Sequence, residues 1–256
     1  MKMREILSDS MKYPLLNLKP FFLMGFMILI SSLLVSRYFD FDVYFENVTG
    51  LVGFLIIILL TFLIVIIATV LESGYTFKVV EKSLIGIEKP PEVNNFLSMF
   101  KHGIKEIVVG LIYFLIPLAL FFVIIDTIFT EINLGLPALP ENTAILFLIP
   151  LMIVGFIADI IFMVAIPHMA FKGGSFKEAF RFSEIFRKIK QIGLKKLLIG
   201  YFIVILGLVV VGWPILKEIM ESTNIVGFII AELIIAPYFL MFAARFTALI
   251  YKSADS

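Results

Sequence analysis

The sequence contains no cysteine, and only 16% of its residues are charged. Without cysteine there can be no disulfide, no thiolate metal site and no cysteine nucleophile. Soluble domains typically have about 25% charged residues, so the shortage of charge excludes an ordinary soluble enzyme. The formal net charge is +1, which excludes a generally basic surface for nucleic acid.

Motifs that carry chemistry are also missing. The chain has no Gly-rich phosphate loop, no His-Glu-x-x-His zinc motif and no Gly-x-Ser-x-Gly nucleophile elbow. Its two histidines, His102 and His168, have no partner at metal-ligand spacing, so we expect each at a membrane interface. The sequence therefore predicts a protein that is not an enzyme and that holds no metal or cofactor.

Long hydrophobic runs are what the sequence has in abundance, since 61% of its 256 residues are hydrophobic. A membrane-spanning helix needs about 20 mostly apolar residues to cross about 30 Å of hydrocarbon. Six runs meet this need and predict an all-α integral membrane protein, a six-span helical bundle in a single transmembrane domain. The predicted spans are residues 20–36, 47–71, 107–125, 142–171, 197–216 and 222–244.

Lysine and arginine are distributed very unevenly along the chain. Of the 21, all but Arg37 and Lys217 lie in residues 1–19, 72–106, 172–196 and 245–256. Because loops on the cytoplasmic side carry an excess of these residues, both termini are predicted to be cytoplasmic in the cell membrane. No signal-cleavage pattern follows the first hydrophobic run, so we expect it to be retained as a span.

Short self-similar segments suggest an internal repeat. Residues 103–110 match residues 193–200 at an offset of 90, and residues 67–69 match residues 157–159 at the same offset. Residues 230–232 form a third copy of that triplet. We interpret the bundle as three parallel hairpins, each running in the same direction through the membrane.

Each predicted hairpin is preceded by an amphipathic segment, at about residues 2–12, 92–102 and 175–192. The second is expected to end at Gly103. The third begins with capping-box spacing at Ser175 and Glu178. Basic residues mark its polar face: Lys177, Arg181, Arg187 and Lys188. This pattern is typical of a helix lying at the cytoplasmic interface, attracted by anionic lipid headgroups. A cap over the bundle and a docking site for a protein partner are alternatives.

Two predicted spans contain a carboxylate. Asp159 and Glu232 each lie 13 residues before the next cation, which places each roughly 20 Å deep, near the bilayer midplane. Thr69 occupies the equivalent position of the repeat. Ionisable residues at this depth usually face the bundle interior and mark ion or proton routes. These three residues are therefore candidates for an intramembrane polar site that binds a cation or shares a proton.

A purely structural role for these carboxyls is the alternative. Each could be protonated and hydrogen-bonded to a neighbouring helix, with Thr69 or Tyr113 as partner. Prolines within the spans could act as hinges, but more often they are packing kinks. They are Pro117, Pro150, Pro167, Pro214 and Pro237.

Five short motifs give the chain a recognisable pattern. They are Met11-Lys12-Tyr13-Pro14, Glu72-Ser73-Gly74-Tyr75, the segment from Phe176 to Phe182, Pro237-Tyr238 and Ala244-Arg245. Together they resemble a mainly archaeal family of multi-span membrane proteins, catalogued as domain of unknown function four thousand and thirteen. The resemblance covers nearly the whole chain. It implies a multi-span membrane protein with cytoplasmic amphipathic segments, and it implies no activity.

The sequence favours a non-enzymatic membrane protein that binds or transports a small solute, an ion or a lipid. The internal repeat, the two midplane carboxyls and the proline-broken spans all favour this function. The alternative is an accessory or scaffold subunit that docks a cytoplasmic partner through its amphipathic helices. In either case the lipid bilayer is a partner, and nucleic acid is not.

Overall fold

The structure, a computed structural model, describes residues 1–38, 51–133, 141–207, 209 and 225–254. Across these residues the secondary structure is helical and contains no strand. The α-helices are α1 (Met3–Lys12), α2 (Leu18–Tyr38), α3 (Leu51–Leu84), α4 (Phe96–Tyr113), α5 (Leu115–Asn133), α6 (Glu141–Phe171), α7 (Phe182–Ile192), α8 (Leu194–Leu206), α9 (Ile225–Ile230) and α10 (Ala236–Lys252). Two 3-10 turns, Tyr13–Leu16 and Phe176–Phe180, and one π-turn, Ala231–Ile235, join some of them.

Three helical segments are long and apolar enough to cross a membrane: Ile58–Leu84, Leu148–Phe171 and Val226–Lys252. Two bent helix pairs bring the number to five if each pair forms one span. The pairs are Met3–Leu16 with Leu18–Leu34, and Phe96–Tyr113 with Leu115–Ile125. The described part of the chain thus contains three to five candidate spans, where the sequence predicted six.

The difference from six concerns the predicted span at residues 197–216. There α8 ends at Leu206 after 13 residues, which is shorter than a span needs. Residue 208 and residues 210–224 lie outside the described residues, so most of the remainder of this predicted span is not described. The first residues of the predicted spans at 47–71 and 222–244 also lie outside the described residues.

The N-terminal pair bends by 82° between its 3-10 turn and α2. Pro14 opens that turn, and Asn17 adopts an extended backbone (φ −149°, ψ 100°) through which a helix cannot continue. As a result α1 turns away from the axis of α2 and packs against α10. The side-chain amide of Asn17 donates to the Pro90 carbonyl at 3.2 Å, which ties this corner to the loop after α3.

The second bend, of 54°, separates α4 from α5. Pro117 has no N–H to donate to the carbonyl of Tyr113, and Phe114 leaves helical geometry (φ −93°, ψ 4°). The expected end of an amphipathic helix at Gly103 was wrong, because α4 continues through it to Tyr113. Pro150 and Pro167, by contrast, lie inside a continuous α6.

The third amphipathic segment is divided, although the sequence suggested one helix over residues 175–192. A 3-10 turn, Phe176–Phe180, is followed by Arg181 in a non-helical conformation and then by α7. The glycines matched by the repeat also differ in structure. Gly103 is helical, whereas Gly193 has φ 86° at the corner between α7 and α8.

Glycine allows α3 and α4 to pack backbone against backbone. A Cβ atom at Gly74 would overlap the Met99 carbonyl, and one at Gly103 would overlap the Val70 carbonyl. Small residues of this kind bring membrane helices into close contact where no hydrophobic effect drives them together. The closeness of these two helices therefore depends on two positions that tolerate no side chain.

We expect the Gly103→Ala substitution to destabilise the protein. The added methyl group must push α4 away from α3, and overpacking of this kind typically costs about 1–3 kcal/mol. The melting temperature of the purified full chain in detergent measures the effect. Gly155→Ala is the matched control, because a Cβ there meets nothing within 4 Å. Equal melting temperatures for the two variants would contradict the close α3–α4 packing.

Arg245, near the middle of α10, holds four parts of the chain together. Its Nε and Nη2 donate to the two oxygens of Asp9, at 2.7 and 3.2 Å, and its Nη1 donates to the Ile87 carbonyl at 2.8 Å. The guanidinium lies 4.8 Å from the centre of the Tyr13 ring. Only 3% of Arg245 is exposed. The planar, forked donor set of arginine suits this arrangement.

Tyrosines from the other short motifs make similar tethers. The hydroxyl of Tyr75 donates to the Pro91 carbonyl at 2.9 Å, and that of Tyr238 donates to the Met11 carbonyl at 2.8 Å. Tyr13 reaches the Lys89 carbonyl at 3.3 Å. Four of the five short motifs therefore converge on one end of the bundle, where they fix α1 and the loop after α3.

We expect Arg245→Lys to lower the free energy of unfolding by about 2 kcal/mol. Lysine keeps the charge but cannot donate to Asp9 in a fork and to Ile87 at once, and a hydrogen bond to a charged group contributes about 1.5–3 kcal/mol. Thermal unfolding of the full chain measures the loss. Arg4→Lys, at an exposed position of α1, is the control and should be neutral. A neutral Arg245→Lys would show that the fork does not hold this end.

Candidate functional site

A cavity of about 300 Å³ lies between α3, α4, α6, α8 and α10. Most of its wall is apolar, with a small set of polar side chains, one from each helix. They are Thr76, Glu106, Asp159, Tyr201 and Thr247. Apolar walls with a few convergent polar groups are the usual composition of a small-ligand site, and this volume suits a small ligand.

Two carboxyls face this cavity from different helices. The hydroxyl of Tyr201 interacts with the carboxyl of Asp159. Glu106 is contacted by Ser73, and its Oε2 atom is buried without a hydrogen-bond partner. None of the residues that line the cavity is lysine, arginine or histidine. The cavity therefore concentrates acidic groups without a basic side chain to balance them.

Glu232 lies in a second cluster, formed by α2, α3 and the π-turn. The Ser31 hydroxyl is 3.3 Å from Oε1 of Glu72, and Ser32 contacts Glu232. The two carboxyls lie close enough to interact electrostatically. A π-turn is an interruption that frequently accompanies functional sites in helices, and here it carries Glu232.

The structure thus assigns Asp159 and Glu232 to different surroundings. Glu232 is not among the residues that line the Asp159 cavity, and each acid has its own acidic neighbour. Thr69 joins neither group, since it lies on the exposed surface of α3. Tyr113 is not a partner of Asp159 either, because its hydroxyl donates to the Ala179 carbonyl at 2.6 Å.

Sequence reasoning missed Glu72 and Glu106, the two acids that accompany the predicted ones. Both stand at the ends of hydrophobic runs, so in the sequence they marked the boundaries of predicted spans. No local pattern marks them, because each is contacted by a serine from another helix, Glu72 by Ser31 and Glu106 by Ser73. Ser73 can contact Glu106 because Gly74 and Gly103 let α3 and α4 pack closely.

The basic residues of the third amphipathic segment do not share one exposed face. Lys177 and Arg187 are exposed. Arg181 is paired with Glu178 and Glu184, and Lys188 is 8% exposed, with its ammonium 4.5 Å from the centre of the Tyr251 ring. The polar face that the sequence indicated is therefore partly used for packing within the protein.

Aromatic side chains occupy the outer surface of α7. Phe182 and Phe186 are each 47% exposed, and Arg187 lies beside them with 69% of its side chain exposed. Ile185 and Ile192 of the same helix are buried. A helix with exposed phenylalanine next to exposed arginine fits an interface between hydrocarbon and headgroups.

Each of the two histidines has close side-chain neighbours, although the sequence showed no partner at ligand spacing. His102 stacks on Phe77, with 4.7 Å between ring centres. His168 is 4% exposed and lies beside Glu178 and Glu184. The hydrogen bond from Arg181 lowers the pKa of Glu184, which keeps this carboxylate ionised at neutral pH. The spacing in sequence concealed this cluster, since a turn brings its members together.

Comparison with known proteins gives one match. A family model described as protein of unknown function, DUF4013, matches residues 57–249. No curated protein and no solved structure matches the chain.

Proposed function

Because the chain belongs to the DUF4013 family, whose description assigns no function, we propose its function from the geometry of its sites. It is a non-enzymatic multi-pass membrane protein that binds a small positively charged solute or ion, as a binding protein or a transporter. The ligand site is the cavity between α3, α4, α6, α8 and α10. The observation that carries this proposal is the presence there of Glu106 and Asp159 without a basic partner.

Charge balance is the physical reason for a cationic ligand. An ionised carboxylate taken out of water is unfavourable by several kcal/mol unless an opposite charge accompanies it. The buried, unpartnered Oε2 of Glu106 provides an acceptor for such a charge. Tyr201 and Thr247 line the same space and supply hydroxyls that can orient a ligand, while the apolar wall suits a small organic group.

The proposal includes the finer architecture predicted from the sequence. The chain forms six spans in three parallel hairpins in the cell membrane, with both termini in the cytoplasm. Contacts between the basic segments support a common side for them. Lys196 Nζ donates to the Met1 carbonyl at 3.0 Å, and Lys105 Nζ donates to the Gly174 carbonyl at 2.7 Å. Segments that touch at one end of a bundle belong on one side of a membrane.

We expect a cation to stabilise the purified full chain in a saturable way. A ligand that binds only the folded state adds about 2.7 kcal/mol of stability at a concentration of one hundred times its Kd. The measurement is the melting temperature in titrations of sodium, potassium and ethylammonium ions at constant ionic strength. Asp159→Asn and Glu106→Gln should each remove the stabilisation, because each removes one acceptor charge from the cavity.

Glu232→Gln is the matched control, since it also neutralises an intramembrane acid but lies outside the cavity. It should retain the stabilisation by the same cation. Uptake of that cation into proteoliposomes then separates transport from binding alone. The proposal fails if none of the three ions stabilises the protein, or if the two cavity variants respond like the wild-type chain.

The outer surface of α7 favours a second candidate function, contact with anionic lipid headgroups at the cytoplasmic interface. Phe182 and Phe186 are exposed together with Arg187, so apolar and cationic groups project from the same surface. Aromatic rings suit the boundary of the hydrocarbon, and arginine binds phosphate in a bidentate way. An accessory-subunit function, with a cytoplasmic protein on this surface, is the competing explanation.

We expect the Arg187→Glu variant to retain less anionic lipid than the wild-type chain. Reversal of an exposed charge replaces attraction to phosphate by repulsion, and salt screens this effect. Native mass spectrometry of the full chain, exchanged into mixed phosphatidylglycerol and phosphatidylcholine, measures the bound lipid at two salt concentrations. Lys101→Glu, at an exposed position of α4, is the control.

Equal lipid retention in both variants, or no dependence on salt, would remove the lipid function. A stoichiometric protein that co-purifies with the wild-type chain, and is lost from a Phe182→Ser and Phe186→Ser double variant, would favour the accessory subunit instead.

A further inference from the structure

Three potential metal ligands meet beside α7, at the end of α6. His168 comes from α6, Glu178 from the 3-10 turn Phe176–Phe180, and Glu184 from the first turn of α7. Nε2 of His168 is 3.5 Å from Oε2 of Glu184 and 3.9 Å from Oε2 of Glu178. One donor atom from each residue lies within 4.8 Å of the others.

Two of these atoms are buried and unsatisfied. Nε2 of His168 has no hydrogen-bond partner, and its residue is 4% exposed. Oε2 of Glu178 is likewise buried without a partner. A buried polar group without a partner is unfavourable, because it has lost its hydrogen bonds to water. The two atoms are 3.9 Å apart, so a single group bound to both would satisfy both.

The surrounding groups orient these atoms in the manner of a metal site. Tyr251 Oη lies 2.8 Å from Nδ1 of His168. When Nδ1–H donates to that oxygen, Nε2 presents a free lone pair to the two carboxylates. Arg181 binds the other oxygen of each acid, Oε1 of Glu178 at 3.3 Å and Oε1 of Glu184 at 2.9 Å. Both Oε2 atoms therefore remain directed toward the imidazole.

We propose that His168, Glu178 and Glu184 bind a divalent transition-metal ion of the zinc and manganese class. One imidazole nitrogen and two carboxylate oxygens are donors that such ions accept. Bonds of about 2.0–2.2 Å to three ligands require ligand atoms about 3.4 Å apart, close to the observed 3.5 and 3.9 Å. Three protein ligands leave a position open for water or for a further ligand.

Neighbouring cations do not prevent binding. Lys172 lies 3.4 Å from Oε2 of Glu184, and Arg187 lies 3.9 Å from it. Their side chains are 40% and 69% exposed, so both can turn into solvent when a metal ion takes the oxygen. The ion would link α6 to α7 and thereby fix the amphipathic helix against the bundle. This site is separate from the Asp159 cavity, and its test does not depend on the proposed function.

Metal binding by the full chain tests the proposal. The protein is purified in detergent without a histidine tag, treated with EDTA, and titrated separately with zinc and manganese chloride. Calorimetry gives affinity and stoichiometry, and the melting temperature reports on the folded state. We expect one ion per chain and a saturable increase in melting temperature. Glu178→Gln and Glu184→Gln should each weaken affinity at least tenfold.

Further variants keep the test independent of folding defects at the buried imidazole. Tyr251→Phe retains the ring and removes only the hydroxyl that orients His168, so we expect affinity roughly tenfold weaker. Glu88→Gln and His102→Gln are matched controls outside the cluster, and both should bind like the wild-type chain. The proposal is overturned if the folded wild-type chain binds neither ion. It is also overturned if Glu178→Gln and Glu184→Gln leave the affinity unchanged, which would indicate adventitious metal only.

Discussion

The bidentate ion pair between Arg245 and Asp9 holds together the end of the bundle where α1 and the loop after α3 meet α10. An arginine that is almost wholly buried on a membrane helix must have its charge balanced and its donors filled. Asp9 and the Ile87 carbonyl do this. Asp9 is within reach because α1 folds back at the 82° bend. The Ile87 carbonyl is within reach because the loop after α3 lies against α10. Helix α1, the loop after α3 and α10 are consequently held together.

In two polar groups inside the bundle, the charged side chains that the structure describes are acids. Glu106 with Asp159, and Glu72 with Glu232, form two separate groups whose only other described polar contacts are hydroxyls. A protein that needed these acids only for packing could have paired them with lysine or arginine. Acidic groups left without such partners favour a function in which a cation comes from outside the chain.

The His168 cluster is different in composition, since it mixes acids, an imidazole and exposed cations at the end of α6. Its buried imidazole Nε2 and the buried Oε2 of Glu178 lie 3.9 Å apart, and neither atom has a hydrogen-bond partner. The same segment presents Phe182 and Phe186 outward. A metal ion in the cluster and lipid on the outer surface would therefore act on one helix, α7, from its two sides.

The sequence alone determined the membrane class, the family resemblance and the approximate positions of the hydrophobic runs. It also marked Asp159 and Glu232 as polar positions within those runs. All of these depend on local composition and on the length of the hydrophobic segments. Tertiary structure decided which acids meet. Glu106 enters the Asp159 cavity because Gly74 and Gly103 let α3 and α4 touch, and Thr69 is excluded because it faces outward. The turn around Phe176–Phe180 likewise brings Glu178 and Glu184 to His168, a contact that no spacing rule contains. Distances between helices arise from packing, which a linear pattern does not encode residue by residue.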